Sequence, residues 1–187
     1  LDELATTTLV LQADARRVAA PGFWHEALAA GCPNRDGHPQ FDFVLTSPPY
    51  WNMLRQSRGN VLSAQQERAA KGLDTWYSDA PQDLGNIADY DAFVEALGEV
   101  FDGLQPYLRE GKYLVVVVQN LRAPDGEVKP LAWDLTRRLG RTWLFQGERI
   151  WCQNTKKLGI WGYPHVFVPN YHHHYCLIFR NLPPPTA

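Results

Sequence analysis

No stretch of this 187-residue chain approaches the ~20 consecutive apolar residues of a membrane-spanning helix. No basic segment followed by an apolar one opens it, so it shows no secretory leader. Cysteine is scarce. Cys32, Cys152 and Cys176 are odd in number and lack Cys-x-x-Cys spacing, which argues against a disulfide framework and for free thiols in a reducing cytosol. A cytoplasmic protein without a membrane partner is expected. An excess of one charge is also lacking. The net charge is −2, so the chain is no polycation, and any nucleic-acid contact must come from local patches. Repeats and low-complexity tracts are absent. Gly-x-Gly, the spacing with which many sheets cradle phosphate or cofactor, occurs nowhere. The chain begins at Leu1 rather than Met.

What remains is an ordinary globular composition, 45% hydrophobic and 20% charged, enough for one domain over residues 1–187 with a real core. Seven tryptophans are many, and they offer platforms for stacked rings as well as core. The organising stretch is Phe41-Asp42-Phe43-Val44-Leu45-Thr46, apolar or β-branched except at Asp42, which reads as a short strand buried on both faces. It runs into Ser47-Pro48-Pro49-Tyr50-Trp51. Consecutive prolines fix φ, supply no N–H and push the preceding residues out of the helical region. A stiff loop at the C-terminal end of a buried strand is where open α/β sheets bind ligands. Ser47 and the Pro48 carbonyl can accept both hydrogens of an exocyclic amino group, and Tyr50 can stack on its ring. Trp51 offers a second wall.

Thr46-Ser47-Pro48-Pro49-Tyr50-Trp51 resembles the catalytic loop of the DNA amino-methyltransferases, the N4-cytosine/N6-adenine methylases, whose pattern is Asp, Asn or Ser, then Pro-Pro, then an aromatic residue. The resemblance implies catalytic roles for Ser47, Pro48, Pro49 and Tyr50, S-adenosylmethionine as cofactor, and DNA as substrate and partner, in a restriction–modification setting. Substrate contacts fall on Trp51, Arg55 and Arg58. Cofactor contacts fall on Thr46, Asp14 and Ala15, Asp14 accepting the adenine amino group. Ser47 leans toward cytosine over adenine. The implied fold is α/β, a Rossmann-like methyltransferase sheet whose last strand inserts antiparallel.

Residues 6–11 read as a strand with Asp14 at its C-terminal tip, where the resembling family has Gly-Asp-Ala and this chain has Ala13 for the glycine. A helix-capping Asp14 is the other reading. Residues 23–30 suit a helix, and 31–40 a turn-rich loop. Residues 52–88 form a long inserted region, with a helix near 64–71, that suits contact with DNA. Apolar spacings of three and four from Phe93 to Leu108, after a capping Asp89, predict a core helix ended by Glu110-Gly111. Residues 113–118 form a buried strand tipped by Gln119 and Asn120. Pro130 starts a helix to Leu139, residues 142–153 and 171–180 form the closing strands, and 181–187 are a tail.

Two basic patches stand out: Arg55, Arg58, Arg68 and Lys71, then Arg137, Arg138, Arg141, Arg149, Lys156 and Lys157. His172, His173 and His174 lack the partners of a structural zinc site, and no metal is expected. The absent Gly-x-Gly, together with the non-Met start, predicts a catalytic domain without its first strands. Its Phe41 strand would then lack a neighbour, and the chain would need an N-terminal segment in cis or trans. A non-catalytic nucleic-acid module, half of a split enzyme, and a methyltransferase on RNA or protein glutamine remain as alternatives.

Overall fold

The computed structural model describes residues 8–51, 69–73, 80, 82–123, 126–155, 159–161, 164, 165, 168, 169 and 171–182. Its strands are β1 (Asn34–Arg35), β2 (His38–Pro39), β3 (Phe41–Thr46), β4 (Leu108–Val118), β5 (Leu121–Arg122), β6 (Val128–Lys129), β7 (Leu144–Cys152), β8 (Ile160–Trp161), β9 (Val168–Pro169) and β10 (His173–Arg180). Its helices are α1 (His25–Ala29), α2 (Tyr90–Leu104) and α3 (Leu131–Leu139).

The central sheet runs β3-β4-β10-β7. β3 and β4 are parallel, and β10 inserts antiparallel between β4 and β7. This is the partial Rossmann-like methyltransferase sheet, with the last strand reversed, that the sequence led us to expect. Parallel β3 and β4 need a crossover between them, and α2 supplies its helical part. Asp89 caps α2 by accepting from the Ala92 N–H at 2.7 Å. Phe93, Leu97 and Phe101 then fall on one stripe, each 3% exposed or less.

Across the sheet that stripe meets Leu114, Val116 and Val118 of β4 and Leu177 and Phe179 of β10. Leu131, Leu135 and Leu139 of α3 complete the core with no exposed surface. The two helices are clasped by Arg138, 7% exposed, whose Nε donates to Glu95 at 2.7 Å and whose Nη2 donates to Asp102 at 2.9 Å. Gly98 makes this possible. A Cβ there would sit 2.5 Å from the Arg138 guanidinium carbon.

Several expectations are corrected. Residues 8–11 form no strand; Val10 is 87% exposed, because β-propensity without a neighbouring strand orders nothing. Residues 31–40 are not all loop. Asp36-Gly37, at φ 53° and 77°, turns a short β1–β2 hairpin, the geometry that favours Asp-Gly. α2 stops at Leu104, because Pro106 diverts the chain through a 3-10 turn, and Leu108 already belongs to β4.

β3 is not buried on both faces. Register with β4 sets Val44 beside Leu114 on the helical side, and Phe43 beside Tyr113 and Leu45 beside Val115 on the other. Phe43 is 55% and Leu45 64% exposed. Their side stays open, and among the described residues β3 bonds only to β4. Of the inserted region, Ala69 and Ala70 are helical and Lys71 is exposed; Arg55, Arg58, Arg68 and residues 183–187 lie outside the described residues.

Candidate active site

Thr46 ends β3 beside Val116, so the Pro-Pro loop leaves the sheet at the C-terminal ends of its two parallel strands. Ser47 is exposed, and Tyr50 is half-buried with its ring against the edge of the core. The Tyr50 hydroxyl donates to the Val117 carbonyl at 3.4 Å and lies 3.1 Å from Ser47 Oγ. A carbonyl can only accept, and a phenol has one proton. The Ser47 hydroxyl is therefore the donor toward Tyr50. Its oxygen is left as an acceptor, the state in which it can receive an N–H.

The loop is held in place by Trp51. This residue sits at φ 44°, a left-handed conformation that a bulky side chain adopts only under constraint. The constraint is visible. Its indole is 8% exposed, meets the Tyr90 ring edge-on at 5.5 Å, and donates Nε1–H to the Ile87 carbonyl at 2.9 Å. Trp51 is thus core rather than a wall turned to an open cleft, which corrects its expected role. Tyr90 in turn donates to Asp134 on α3 at 2.8 Å; burial, and then the Asp134 carboxylate, push its phenol far above the ordinary range.

Other rings gather by the loop. His174 lies 6.1 Å from the Tyr50 ring, and Trp151 lies 5.4 Å from His174, in a row across β10 and β7. Sequence reasoning missed both. The signal was the two-residue strand period, which puts His174 on the face of Val117 and of the neighbouring Trp151. At the tip of β4, Asn120 is 4% exposed and its Oδ1 accepts from the Ala132 N–H at 3.0 Å, so it caps α3 from outside the helix. Gln119 donates to the His173 carbonyl at 2.8 Å.

Asp14 lies on no strand, contrary to expectation. It caps the 3-10 turn Ala15–Arg17, accepting from the Arg16 N–H at 3.0 Å, and pairs with the Arg16 guanidinium at 2.9 Å. The Arg16 hydrogen bond holds its carboxyl below the usual range. Ala15 is the first residue of that turn and is exposed. In the second basic patch, Arg138 is consumed by the helix clasp and Arg141 leans on Glu95 at 3.3 Å. A cavity of about 450 Å³ between the β1–β2 hairpin and the start of β4, touching Arg35, His38, Arg109 and Asn181, lies at the opposite end of the sheet from the loop.

The four-stranded mixed sheet, with helices packed on the side of Leu114, Val116 and Val118, is a partial Rossmann-like methyltransferase fold. Solved structures agree. TTHA0409 of Thermus thermophilus, assigned as a DNA modification methylase, superposes with a TM-score of 0.51 over 94% of this chain and 53% of its own, at 23% identity. Its selenomethionine form gives a TM-score of 0.51 over 92% and 51%, also at 23% identity. Its complex with S-adenosyl-L-methionine gives 0.51 over 93% and 54%, at 25% identity. The chain thus spans about half the length of these neighbours. No protein-family model matches it, and no curated protein is similar enough to match.

Proposed function

We propose that this chain carries the acceptor side of an S-adenosylmethionine-dependent methyl transfer to an exocyclic amino group in DNA, N4 of cytosine or N6 of adenine. The observation that carries the reading is the hydrogen-bond chain from Ser47 through Tyr50 to the Val117 carbonyl, at the C-terminal ends of two parallel strands. An aromatic amine is a poor nucleophile, because its lone pair is conjugated into the ring. Ser47, its own proton committed to Tyr50, accepts one amino hydrogen, and the Pro48 carbonyl accepts the other. With both N–H groups engaged, the nitrogen lone pair is withdrawn from the ring's π system and localised toward the incoming methyl, and the proton that the nitrogen sheds as the N–C bond forms is released to solvent. Proline at 48 and 49 keeps the two acceptors from rearranging, so the geometry is set before the base arrives. The base must leave the duplex to reach them, at a cost of a few kcal/mol. The Tyr50 face receives it, with the His174 ring alongside.

S-adenosylmethionine, when bound, supplies the electrophilic methyl. The described residues fit the acceptor side better than the cofactor side. Asp14 is already paired with Arg16, and the chain has no Gly-x-Gly turn. Thr46, at the end of β3, is the cofactor-side residue nearest to the loop in sequence. The assignment of TTHA0409 as a DNA modification methylase and its complex with S-adenosyl-L-methionine support the reading by analogy of fold.

The test is methyl transfer from labelled S-adenosylmethionine by the chain in its longest natural form. DNA, RNA and protein are offered together, and the DNA is digested to nucleosides. N4-methylcytosine or N6-methyladenine is expected, with the cytosine product favoured by Ser47. Label in RNA or protein glutamine, or in nothing at all, rejects the reading. Tyr50→Ala removes a stacking surface worth roughly 1–3 kcal/mol and lowers turnover sharply. Tyr50→Phe keeps the ring but breaks the relay, so kcat falls while KM for DNA stays put. A Tyr50→Phe enzyme with wild-type kcat would remove Ser47 orientation from the mechanism.

A further inference from the structure

We propose that Tyr90 and Asp134 are positioning residues for the methyl transfer. They act through Trp51, as a latch that holds the Ser47–Tyr50 acceptors in one orientation. The kinetic part of this proposal rests on the acceptor-loop reading given above; the conformational part does not. It starts from a backbone outlier. Among the described residues only Asp36 and Trp51 hold a positive φ without being glycine. Asp36 turns a tight hairpin, where a short polar side chain tolerates that geometry. An indole gains nothing from it, and such strain persists only where the surrounding structure over-determines the residue. Glycine or asparagine at position 51 would relieve the strain at once. A turn alone therefore does not explain a tryptophan there.

Three elements grip its side chain. The indole Nε1–H donates to the Ile87 carbonyl, where the chain leaves the 3-10 turn Leu84–Asn86. The ring meets the edge of Tyr90, the first residue of α2. The Tyr90 hydroxyl donates to the half-buried Asp134 in the first turn of α3. Phenylalanine would fill the same space at position 90, so what the phenol adds is this one bond, which fixes the ring that the indole leans on. Its proton is held far beyond the ordinary range, so the donor is in place at any working pH. The acceptor loop thus hangs between two fixed points. Thr46 is locked in register with Val116 at one end, and Trp51 is clasped at the other. Pro48 and Pro49 stiffen the span between them. Trp51 directly follows Tyr50, so its φ governs where the Tyr50 hydroxyl can reach, and that hydroxyl must meet both Val117 and Ser47.

The experiment compares Tyr90→Phe and Asp134→Leu, which break the bond and keep the bulk, with Asp134→Asn, which keeps an acceptor. On the 187-residue chain, NMR reads the φ of Trp51 from backbone couplings and the exchange rate of its indole proton. On the chain in its longest natural form, methyl transfer from labelled S-adenosylmethionine reads kcat and KM. Tyr90→Phe and Asp134→Leu should speed indole exchange several-fold and move the mean φ of Trp51 toward negative values. They should lower kcat about ten- to a hundredfold, the scale of a misplacement of about an ångström, with KM for DNA unchanged. Asp134→Asn should recover most of both losses. Unchanged φ and unchanged indole exchange in Tyr90→Phe would overturn the latch, whatever the chain methylates. A loosened indole with wild-type kcat, a loss confined to KM, or equal damage from Asn and Leu at position 134 would make Tyr90 and Asp134 core residues only. If the wild-type chain transfers no methyl group, the acceptor reading fails with the kinetic part, while a Trp51 φ that still depends on Tyr90 supports the latch by itself.

Discussion

β4 has two faces of nearly equal apolarity and unequal fate. Leu114, Val116 and Val118 point at the helices and are wholly buried, while on the other face Val117 is buried but Tyr113 and its neighbours on β3, Phe43 and Leu45, remain exposed. A continuous apolar run tells that a strand is built to be covered twice. It does not tell that both covers lie within the same residues. The difference is between a face whose partners, α2 and α3, follow in the same stretch of chain and one whose partners do not appear among the described residues.

The contrast can be broken most forcefully by Phe93→Ala. Phe93 has no exposed surface, and its loss should cost about 3–5 kcal/mol in chemical denaturation. Phe43→Ser on the open face should stay within about 0.5 kcal/mol. Equal costs would mean that the open face is packed in solution. Gly98→Ala comes next. A methyl at 2.5 Å from the Arg138 guanidinium must dislodge the clasp, and about 1–3 kcal/mol should be lost even though alanine favours helix. Arg138→Met in the same background should restore part of it. Asn120→Ala leaves the Ala132 N–H buried without its acceptor and should cost about 1–2 kcal/mol. Amide exchange there should speed up at the first turn of α3 alone. The smallest effect tests how far the openness extends. Cys176 lies on the open face by register with Val117, yet burial pushes its thiol up. Iodoacetamide should therefore modify exposed Cys152 first at pH 8, and the Cys176 rate should keep climbing with pH beyond the ordinary thiol range. Equal rates would extend the open face across β10.

Much of this was legible in the sequence, for reasons that differ by element. α2 could be read because Asp89 caps it and its apolar stripe repeats, and its end was missed because Leu108 continues the helical spacing past Pro106. α3 could be read from Pro130 and Gly140. The antiparallel final strand came with the family resemblance rather than from any pattern of its own. The strand expected at residues 6–11 does not form over 8–11, because strandness is a property of a pair, and among the described residues none pairs with them. The β1–β2 hairpin was written in Asp36-Gly37 and passed over as loop. At the site, the contact of Ser47 with Tyr50 spans three residues of sequence, while the Val117 carbonyl that Tyr50 reaches is 67 residues away. Trp51 differs, since nothing in one dimension separates an indole that faces a ligand from one that faces Tyr90. Arg138 was counted as surface charge for the same reason; its acidic partners are 43 and 36 residues away.

The bond from Tyr50 to the Val117 carbonyl also gives the loop a voice inside the sheet. A backbone carbonyl that gains or loses a phenol donor changes its stretching frequency. Val117, carbon-labelled at that one carbonyl, would thus report by infrared whether the tyrosine is seated or lifted. The signal would come from a strand that itself need not move, so loop opening could be timed against base entry without placing any label on the loop.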